Sequence, residues 1–311
     1  MNTIKFSKIS NKTTEQHNLE LINIREQSIF GNKLNLYTPC NLNIFVTEAC
    51  QNSCYFCINN KTNGGRKICD ISDEEYMRGL LSLFNELECS DYEVTITGGE
   101  PTLNLYRFVE TMKLCRKYKL KCRTVSTTGL NLMVPYNGKP LCEHMIENEF
   151  VHNINISRMH FNENKNAEIF KGKNISNKDV ERLALFFKLN NAEMRISCNL
   201  IEGYIDSFDK MMEFVSFYDS IGVDTVMFRE LEGCDGISLP ETVKEGTKEF
   251  NYLETLHGIV YDVDIFTYQD FLVKHYKTIP SKKKDIVYSL SYKNGHIRNG
   301  FTGDKINIKL I

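Results

Sequence analysis

Leu42-Asn43-Ile44-Phe45-Val46-Thr47, followed after two residues by Cys50-Gln51-Asn52-Ser53-Cys54-Tyr55-Phe56-Cys57, is the stretch that decides the fold. Its first six residues are rich in β-branched and aromatic side chains, the composition of a buried strand. The cysteines then sit on the loop that leaves the strand's C-terminal end, separated by three and then two residues. Such a loop can turn its thiolates inward toward one metal centre. Three thiolates are one too few to close a four-iron cluster, because full cysteine ligation takes a thiolate per iron. One iron is left open. An open metal position separates reactive from structural sites, a logic stated for zinc that carries over here.

Other readings of the same residues stand beside this one. A zinc site would pair its C-x-x-C with a second such pair or with histidines at set distances. No His lies between Cys57 and His144, and the chain has no second C-x-x-C. A disulfide framework suits short secreted chains, not one of 311 residues. A thioredoxin-type redox pair from Cys54 and Cys57 leaves Cys50 without a role.

The C-x-x-x-C-x-x-C spacing, with Phe56 before the last cysteine, resembles the signature of the radical S-adenosylmethionine (SAM) superfamily. Gly98-Gly99-Glu100-Pro101, directly after the strand Glu93-Val94-Thr95-Ile96-Thr97, is similar to that family's second motif. The resemblance implies a partial barrel, a [4Fe-4S] cluster and SAM. It also implies that the reduced cluster cleaves SAM to methionine and a 5′-deoxyadenosyl radical that abstracts hydrogen from a substrate. The cofactors would carry the hard chemistry while the protein binds and orients.

Hydrophobic residues make up 41% and charged residues 25% of the chain, as in a globular protein with a sizeable core. A net charge of −2 offers no field for nucleic acid or anionic membrane. No apolar run approaches the roughly 20 residues of a membrane span. Met1-Asn2-Thr3-Ile4-Lys5 lacks the apolar core of a secretory signal. The expected location is therefore cytoplasmic, where eleven cysteines stay reduced and an oxygen-sensitive cluster survives.

Along the chain, residues 1–41 read as an N-terminal extension, with strand patterns at Ile4–Ile9 and Lys33–Tyr37. Residues 42–231 carry the barrel. Strands are expected at 42–47, 93–97, 122–127, 153–157, 194–200 and 225–228. Helices are expected at 73–88, behind the capping box Ser72/Glu75, and over Leu105–Cys115, 140–149, Val180–Phe187 and Phe208–Tyr218, the last stopped by Gly222. Strand–helix alternation implies a parallel sheet with right-handed crossovers. Six units are too few for a closed barrel. The expected fold is an α/β partial (β/α)6 TIM-like barrel whose reactive loops gather at the strand C-terminal ends. Residues 232–311 read as a C-terminal α+β cap, with a helix near 243–258 and strands at 261–266, 286–292, 296–298 and 305–309. Asn294-Gly295 is a hairpin signal, Asn63-Gly64-Gly65 a turn, and Lys282-Lys283-Lys284 a loop.

The resemblance assigns roles by position. Cys50, Cys54 and Cys57 match the cluster ligands. Phe56 matches the aromatic whose backbone helps hold adenine. Gly98, Gly99 and Glu100 match the segment that receives the methionine amino group. Ser126-Thr127-Thr128-Gly129 resembles the Thr-Thr-Asn-Gly of the molybdenum-cofactor cyclase branch, with Thr128 in place of Asn. Ser157 matches a serine at the methionine carboxylate, and Asn199 falls where the fifth strand supplies a SAM contact. Ordinary strand-end polar residues would look the same. Arg158-Met159-His160 departs from the usual Ser-Leu-Asp; Arg158 and His160 are expected to face the mouth and bind an anion or handle a proton. Arg229 and Glu230 are further substrate-side candidates, although a buried ion pair would read identically. The remaining cysteines show no cluster spacing, and neither that branch's second-cluster motif nor the cysteine-rich extension of peptide-modifying relatives is present. The expectation is one cluster, a small polar metabolite as substrate and a flavodoxin- or ferredoxin-like electron donor. A peptide-modifying enzyme and a non-catalytic metal-binding regulator are the alternatives.

Overall fold

The computed structural model describes residues 24–57, 59, 71–148, 153–231, 250–257, 261–268, 271–278, 286–300 and 307–311. β1 (Ile24–Ile29) and β2 (Asn32–Phe45) form a hairpin whose turn residues Phe30 and Gly31 both have positive φ, at 46° and 75°. The expected strand at 33–37 is the first half of β2, which runs unbroken to the cysteine loop. Then come α1 (Asp73–Glu86), β3 (Tyr92–Thr97), α2 (Leu105–Lys117) and β4 (Lys121–Thr127). A small ribbon, β5 (Pro135–Tyr136) and β6 (Lys139–Pro140), precedes α3 (Leu141–Glu147). β7 (Asn153–Ser157), α4 (Glu163–Phe170), α5 (Asn177–Leu189), β8 (Glu193–Asn199), α6 (Phe208–Ser220) and β9 (Thr225–Arg229) complete the alternation.

β2, β3, β4, β7, β8 and β9 pair in that order, every pair parallel. The six expected strands are therefore the six strands of the parallel core. The sheet does not close: β10 lies at one end and β15 at the other. Helix starts follow the expected chemistry. Ser72 and Glu75 make the reciprocal capping box of α1, and Ser176 accepts the Asp179 N–H at the start of α5. Caps of this kind contribute about 1 kcal/mol each.

Strand residues alternate between two environments. Ile96, Val125, Ile156, Ile196 and Phe228 are fully buried in the core together with Leu80 and Phe84 of α1, Phe108 of α2 and Phe214 of α6. Their sequence neighbours on the other face are polar: Thr95 and Thr97, Ser126, Asn155 and Ser157, Ser197 and Asn199. Hydrophobic burial thus holds the helices on the outer face and leaves a polar inner face.

The C-terminal residues differ from the expected α+β pattern. β10 (Phe250–His257) occupies the stretch where the helix near 243–258 is expected; residues 243–249 lie outside the described set. Phe250, Tyr252, Leu253 and Leu256 fit either period, and antiparallel pairing with β11 (Tyr261–Tyr268) decides for strand. β12 (Phe271–Thr278) had no expectation attached. β12 joins β9 in parallel and carries β11 and β10 with it. At the other edge β13 (Ile286–Lys293) joins β2 in parallel, followed by β14 (His296–Asn299) and β15 (Asn307–Lys309) through the Asn294-Gly295 turn. The stretches Ile4–Ile9, Asn63–Gly65 and Lys282–Lys284 lie outside the described residues. Among the described residues no helix is long and apolar enough to cross a membrane.

Candidate active site

β2 ends at Phe45, and the next residues are stitched to the turn after β3 by backbone bonds. Thr97 O accepts from Val46 N at 3.0 Å, Thr47 O from Gly99 N at 2.8 Å, and Ala49 O from Glu100 N at 2.7 Å. The glycines are required by this approach. A Cβ on Gly99 would lie 2.1 Å from Ala49 O, and one on Gly98 2.5 Å from Thr47 O. The Gly-Gly-Glu motif therefore works first as a splice that fixes the root of the cysteine loop.

Two further contacts fix that root. Arg107 on α2 is buried and donates through Nη1 to Val46 O at 3.2 Å and through Nε to Asp73 Oδ1 at 2.7 Å. Glu48 receives Lys293 Nζ at 2.5 Å and Asn294 Nδ2 at 2.9 Å, which ties the β13–β14 hairpin to the residue two before Cys50. The far side of the loop rests on the end of α4: Ser53 N donates to Phe170 O at 2.9 Å, and Cys54 Sγ lies 3.7 Å from the same carbonyl. Gly172 follows because a Cβ there would sit 2.2 Å from Asn52 Oδ1 and 2.7 Å from Gln51 O.

This framework encloses a cavity of about 260 Å³. Cys50, Cys54, Cys57, Phe56, Gly98, Gly99, Glu100, Thr127, Ser157 and Asn199 all line it, so every expected cluster and SAM residue falls on one wall or another. The sequence reading missed Thr97 and Ser197, the inner-face residues two before Gly99 and Asn199, which were available from period-two alternation; Ser126, named there only within its motif, lines the cavity as well. It also missed Asn59, whose Nδ2 donates to Gly98 O at 3.1 Å, and Phe170, whose helix has too few apolar positions to be read from sequence.

Glu100 is 1% exposed and its carboxylate is held by the chain itself. Oε1 accepts from Thr102 N, Thr102 Oγ1 and Thr127 Oγ1, and Oε2 from Thr128 N and Oγ1. Gln51 Nε2 in turn reaches Thr128 Oγ1 at 2.9 Å. Thr128, in place of the branch's Asn, is thus a link between the cysteine loop, Glu100 and β4.

The substrate-side candidates separate. Arg158 does not face the mouth. It is 0% exposed and donates to Tyr218 Oη at 3.0 Å, Ile175 O at 2.6 Å and Asn177 Oδ1 at 2.5 Å, pinning α5 and α6 to the end of β7. His160 is also turned to local work: its Nδ1 accepts the Asn162 N–H at 3.0 Å and its ring lies 4.6 Å from that of Phe161. Burial, with Lys165, Lys210 and Arg158 nearby, lowers its pKa, so it is neutral at pH 7. Arg229 pairs in register with Asn199, on the inner face, and its guanidinium lies 4.3 Å from the Tyr276 ring centroid. Glu230 is the next residue and approaches His275 Nε2 at 3.3 Å. His275 is buried beside Asp264, which Lys277 contacts at 3.0 Å. Phe228 and His275 pair in register, which places that charged group on the outer face, away from the cavity.

The donor set suits an iron–sulfur cluster. Three thiols share one cavity, and Cys50 Sγ accepts the Asn52 N–H at 3.4 Å, the kind of bond that tunes a cluster sulfur. Among the described residues no three His, Cys, Asp or Glu side chains converge on a single-ion site. Thiolates that bind separate irons stand farther apart than the ligands of one ion.

The family model described as the Radical SAM superfamily matches residues 44–225. No curated protein matches the chain. Among solved structures, SuiB of Streptococcus suis bound to S-adenosylmethionine is 18% identical, with 68% of this chain and 46% of that one covered and a TM-score of 0.49. The anSMEcpe structure with bound AdoMet is 21% identical over 60% of this chain and 49% of that one, with a TM-score of 0.43. The radical SAM methyltransferase TsrM of Kitasatospora setae, with tryptophan and a SAM analogue bound, is 12% identical over 61% and 36%, with a TM-score of 0.41. This chain spans less than half the length of each of the three. Since the matched model covers more than half of its residues, the chain belongs to the Radical SAM superfamily, whose enzymes use a [4Fe-4S] cluster and SAM.

Proposed function

We propose that the protein cleaves SAM reductively and uses the product radical to abstract hydrogen from a small polar metabolite. The observation that carries this reading is the single cavity lined by all three loop cysteines, the Gly-Gly-Glu turn, Ser157 and Asn199. When bound, the reduced cluster supplies the electron that splits SAM into methionine and a 5′-deoxyadenosyl radical. The chain does the rest. Cys50, Cys54 and Cys57 would ligate the cluster. The carbonyls of Gly98 and Gly99 would accept from the methionine ammonium, Ser157 would lie at its carboxylate, Asn199 would make a further SAM contact, and the backbone of Phe56 would help hold adenine. Glu100, bonded to Thr102, Thr127 and Thr128, would fix the turn that carries these carbonyls, and with Thr127 it lines the cavity that SAM would fill.

The polar inner face supports a polar substrate, and Arg229 is the one substrate-side candidate directed to it. A flavodoxin or ferredoxin would deliver the electron, in the cytoplasm.

The test is anaerobic reconstitution followed by reductant and SAM, with 5′-deoxyadenosine read by mass spectrometry. Product that disappears in Cys54→Ala supports the reading. Intact cluster absorbance without product, with and without a cytoplasmic metabolite extract, would sink it.

A further inference from the structure

The inner face beyond the cavity carries an imbalance of charge. In register across the sheet, Ser157 pairs with Ser197, Ser197 with Met227 and Met227 with Lys274. One step deeper, Asn155 pairs with Arg195 and Arg195 with Thr225. One step nearer the mouth, Asn199 pairs with Arg229. Partners in a sheet point to the same side, so Arg195, Lys274 and Arg229 share the face that holds Ser157, Ser197 and Asn199, three residues of the cavity wall.

Glu193 is the carboxylate in contact with this set. It takes Arg195 Nη2 at 2.5 Å and the Thr225 hydroxyl at 2.9 Å. Among the described residues Lys274 and Arg229 have no ion-pair partner, and Arg195 Nε is buried without a hydrogen-bond acceptor. The next carboxylate on this face, Glu254, pairs with Ile265, which pairs with Lys274, two strands and roughly 10 Å away. Three cations thus face one near carboxylate, Glu193, whose charge acts on Lys274 as well as on Arg195, and a net two positive charges remain on a half-buried surface. Burial, with Arg195 adding to it, lowers the pKa of Lys274, and the opposing charge of Glu193 does not make up the difference. An incoming anion would reverse both effects and gain charge-assisted hydrogen bonds.

We propose that Lys274 and Arg195, with Arg229 at the rim, form a subsite that holds an acidic group of the substrate, a carboxylate or a phosphate. Lys274 stands two strand spacings from Ser197, roughly 10 Å. A metabolite anchored there by its anion reaches back to the cavity with the carbon to be activated. The assignment of the anion to the substrate rests on the proposed function; the anion site itself does not.

The test uses the full chain, anaerobically reconstituted. Two pairs of probes are compared: succinate against succinamide, and glycerol 3-phosphate against glycerol. Acetylation of Lys274 by an amine-reactive ester is followed by peptide mass spectrometry, and thermal unfolding is followed in parallel. One anion should slow acetylation in proportion to 1 + [L]/Kd, about tenfold at ten times Kd, while its neutral partner does nothing. The arm that protects tells carboxylate from phosphate. The thermal shift produced by that anion should vanish in Lys274→Met and Arg195→Gln and persist in Lys274→Arg, with unchanged cluster absorbance reporting that the variants fold. Absence of protection by both anions, or equal protection by the neutral partners, would overturn the subsite. Formation of 5′-deoxyadenosine by the unaltered protein is scored separately, so a failure of SAM cleavage is told apart from a failure of anion binding.

Discussion

Glu100 Oε2 accepts both the backbone N–H of Thr128, at 2.7 Å, and its hydroxyl, at 2.8 Å. This pair of bonds locks the turn after β3 to the end of β4, inside the cavity wall. The carboxylate is acceptor-only and all of its partners donate. Glu100→Gln places an amide NH2 against one or more of those donors. It should cost about 1–3 kcal/mol of stability, read by urea denaturation of the apo chain. It should also lower 5′-deoxyadenosine yield, because the Gly98 and Gly99 carbonyls lose their support. Thr127→Val removes one donor and should cost less.

Gly172 carries the opposite kind of constraint, one of space. An added Cβ meets backbone at Gln51 O, 2.7 Å away, so the cysteine loop itself must move. Gly172→Ala should fold but bind less iron and sulfide than the unaltered chain after reconstitution. Gly203→Ala is the comparison: its φ of +83° makes alanine costly by about 1 kcal/mol, yet nothing lies within 4 Å. It should lose some stability and keep its full iron content. Equal iron in both variants would remove the role given to Gly172.

The parallel core was legible because each strand has to satisfy two environments at once. Ile154 and Ile156 alternate with Asn153, Asn155 and Ser157, and the fully buried isoleucines face helices. That same alternation puts Thr97 and Ser197 on the cavity wall, while the cavity residues that were expected came from the family resemblance. The C-terminal strands were harder to read. Phe250–His257 has no single period, and its state depends on a partner, β11, that is distant from any local signal. α4 was missed for a related reason: only Asn166, Ile169 and Phe170 are buried, so its contribution is a carbonyl and a ring rather than an apolar stripe. Arg158 shows the limit at the site itself. A cation after a barrel strand reads as a ligand for something, and only coordinates reveal that Tyr218, Ile175 and Asn177 are its ligands.

Arg158 therefore makes a prediction that separates fold from chemistry. Arg158→Met leaves a buried hydroxyl, a carbonyl and an amide oxygen without their donor. It should lower stability by at least about 2 kcal/mol. The amount of 5′-deoxyadenosine formed per cluster-loaded molecule should stay within about twofold of the unaltered enzyme, a difference of about 0.4 kcal/mol at most. A collapse of turnover in well-folded, cluster-loaded Arg158→Met would return this residue to the substrate side.

The metal content separates an enzyme of this family from a regulator with a single ion. Anaerobic reconstitution should give about four irons and four sulfides per chain, and Cys50→Ala, Cys54→Ala or Cys57→Ala should each lose most of them. The other buried cysteines should not matter. Burial pushes the Cys142 thiol up to about 11, and a thiol that stays protonated is a poor ligand, so Cys142→Ala should keep the full iron content. One zinc per chain, or iron lost equally on Cys142→Ala, would contradict the assignment.

Two buried groups give the apo chain a stability profile with two acid steps. His160 is a base whose folded pKa is lowered, chiefly by burial, so the unfolded chain binds its proton more readily. Stability is then full above the unfolded value of about 6.5 and falls as pH drops below it. Asp264 is an acid: burial alone would raise its pKa, but the nearby His275, the Thr255 hydroxyl bond and the Lys277 ammonium outweigh that and hold the carboxyl well below the usual range. Its contribution is present above the unfolded value of about 3.9 and is lost as pH falls from there toward the lower folded value. Urea denaturation between pH 8 and pH 3 should show both losses. His160→Gln should remove the step near pH 6 and leave the lower one. Asp264→Asn breaks a buried charged contact and should cost about 3–5 kcal/mol at pH 7. That penalty should shrink below pH 4, where the unaltered carboxylate is itself losing its advantage. An Asp264→Asn penalty that is the same at pH 7 and pH 3 would mean that packing, rather than the charge held between His275 and Lys277, is what the residue contributes.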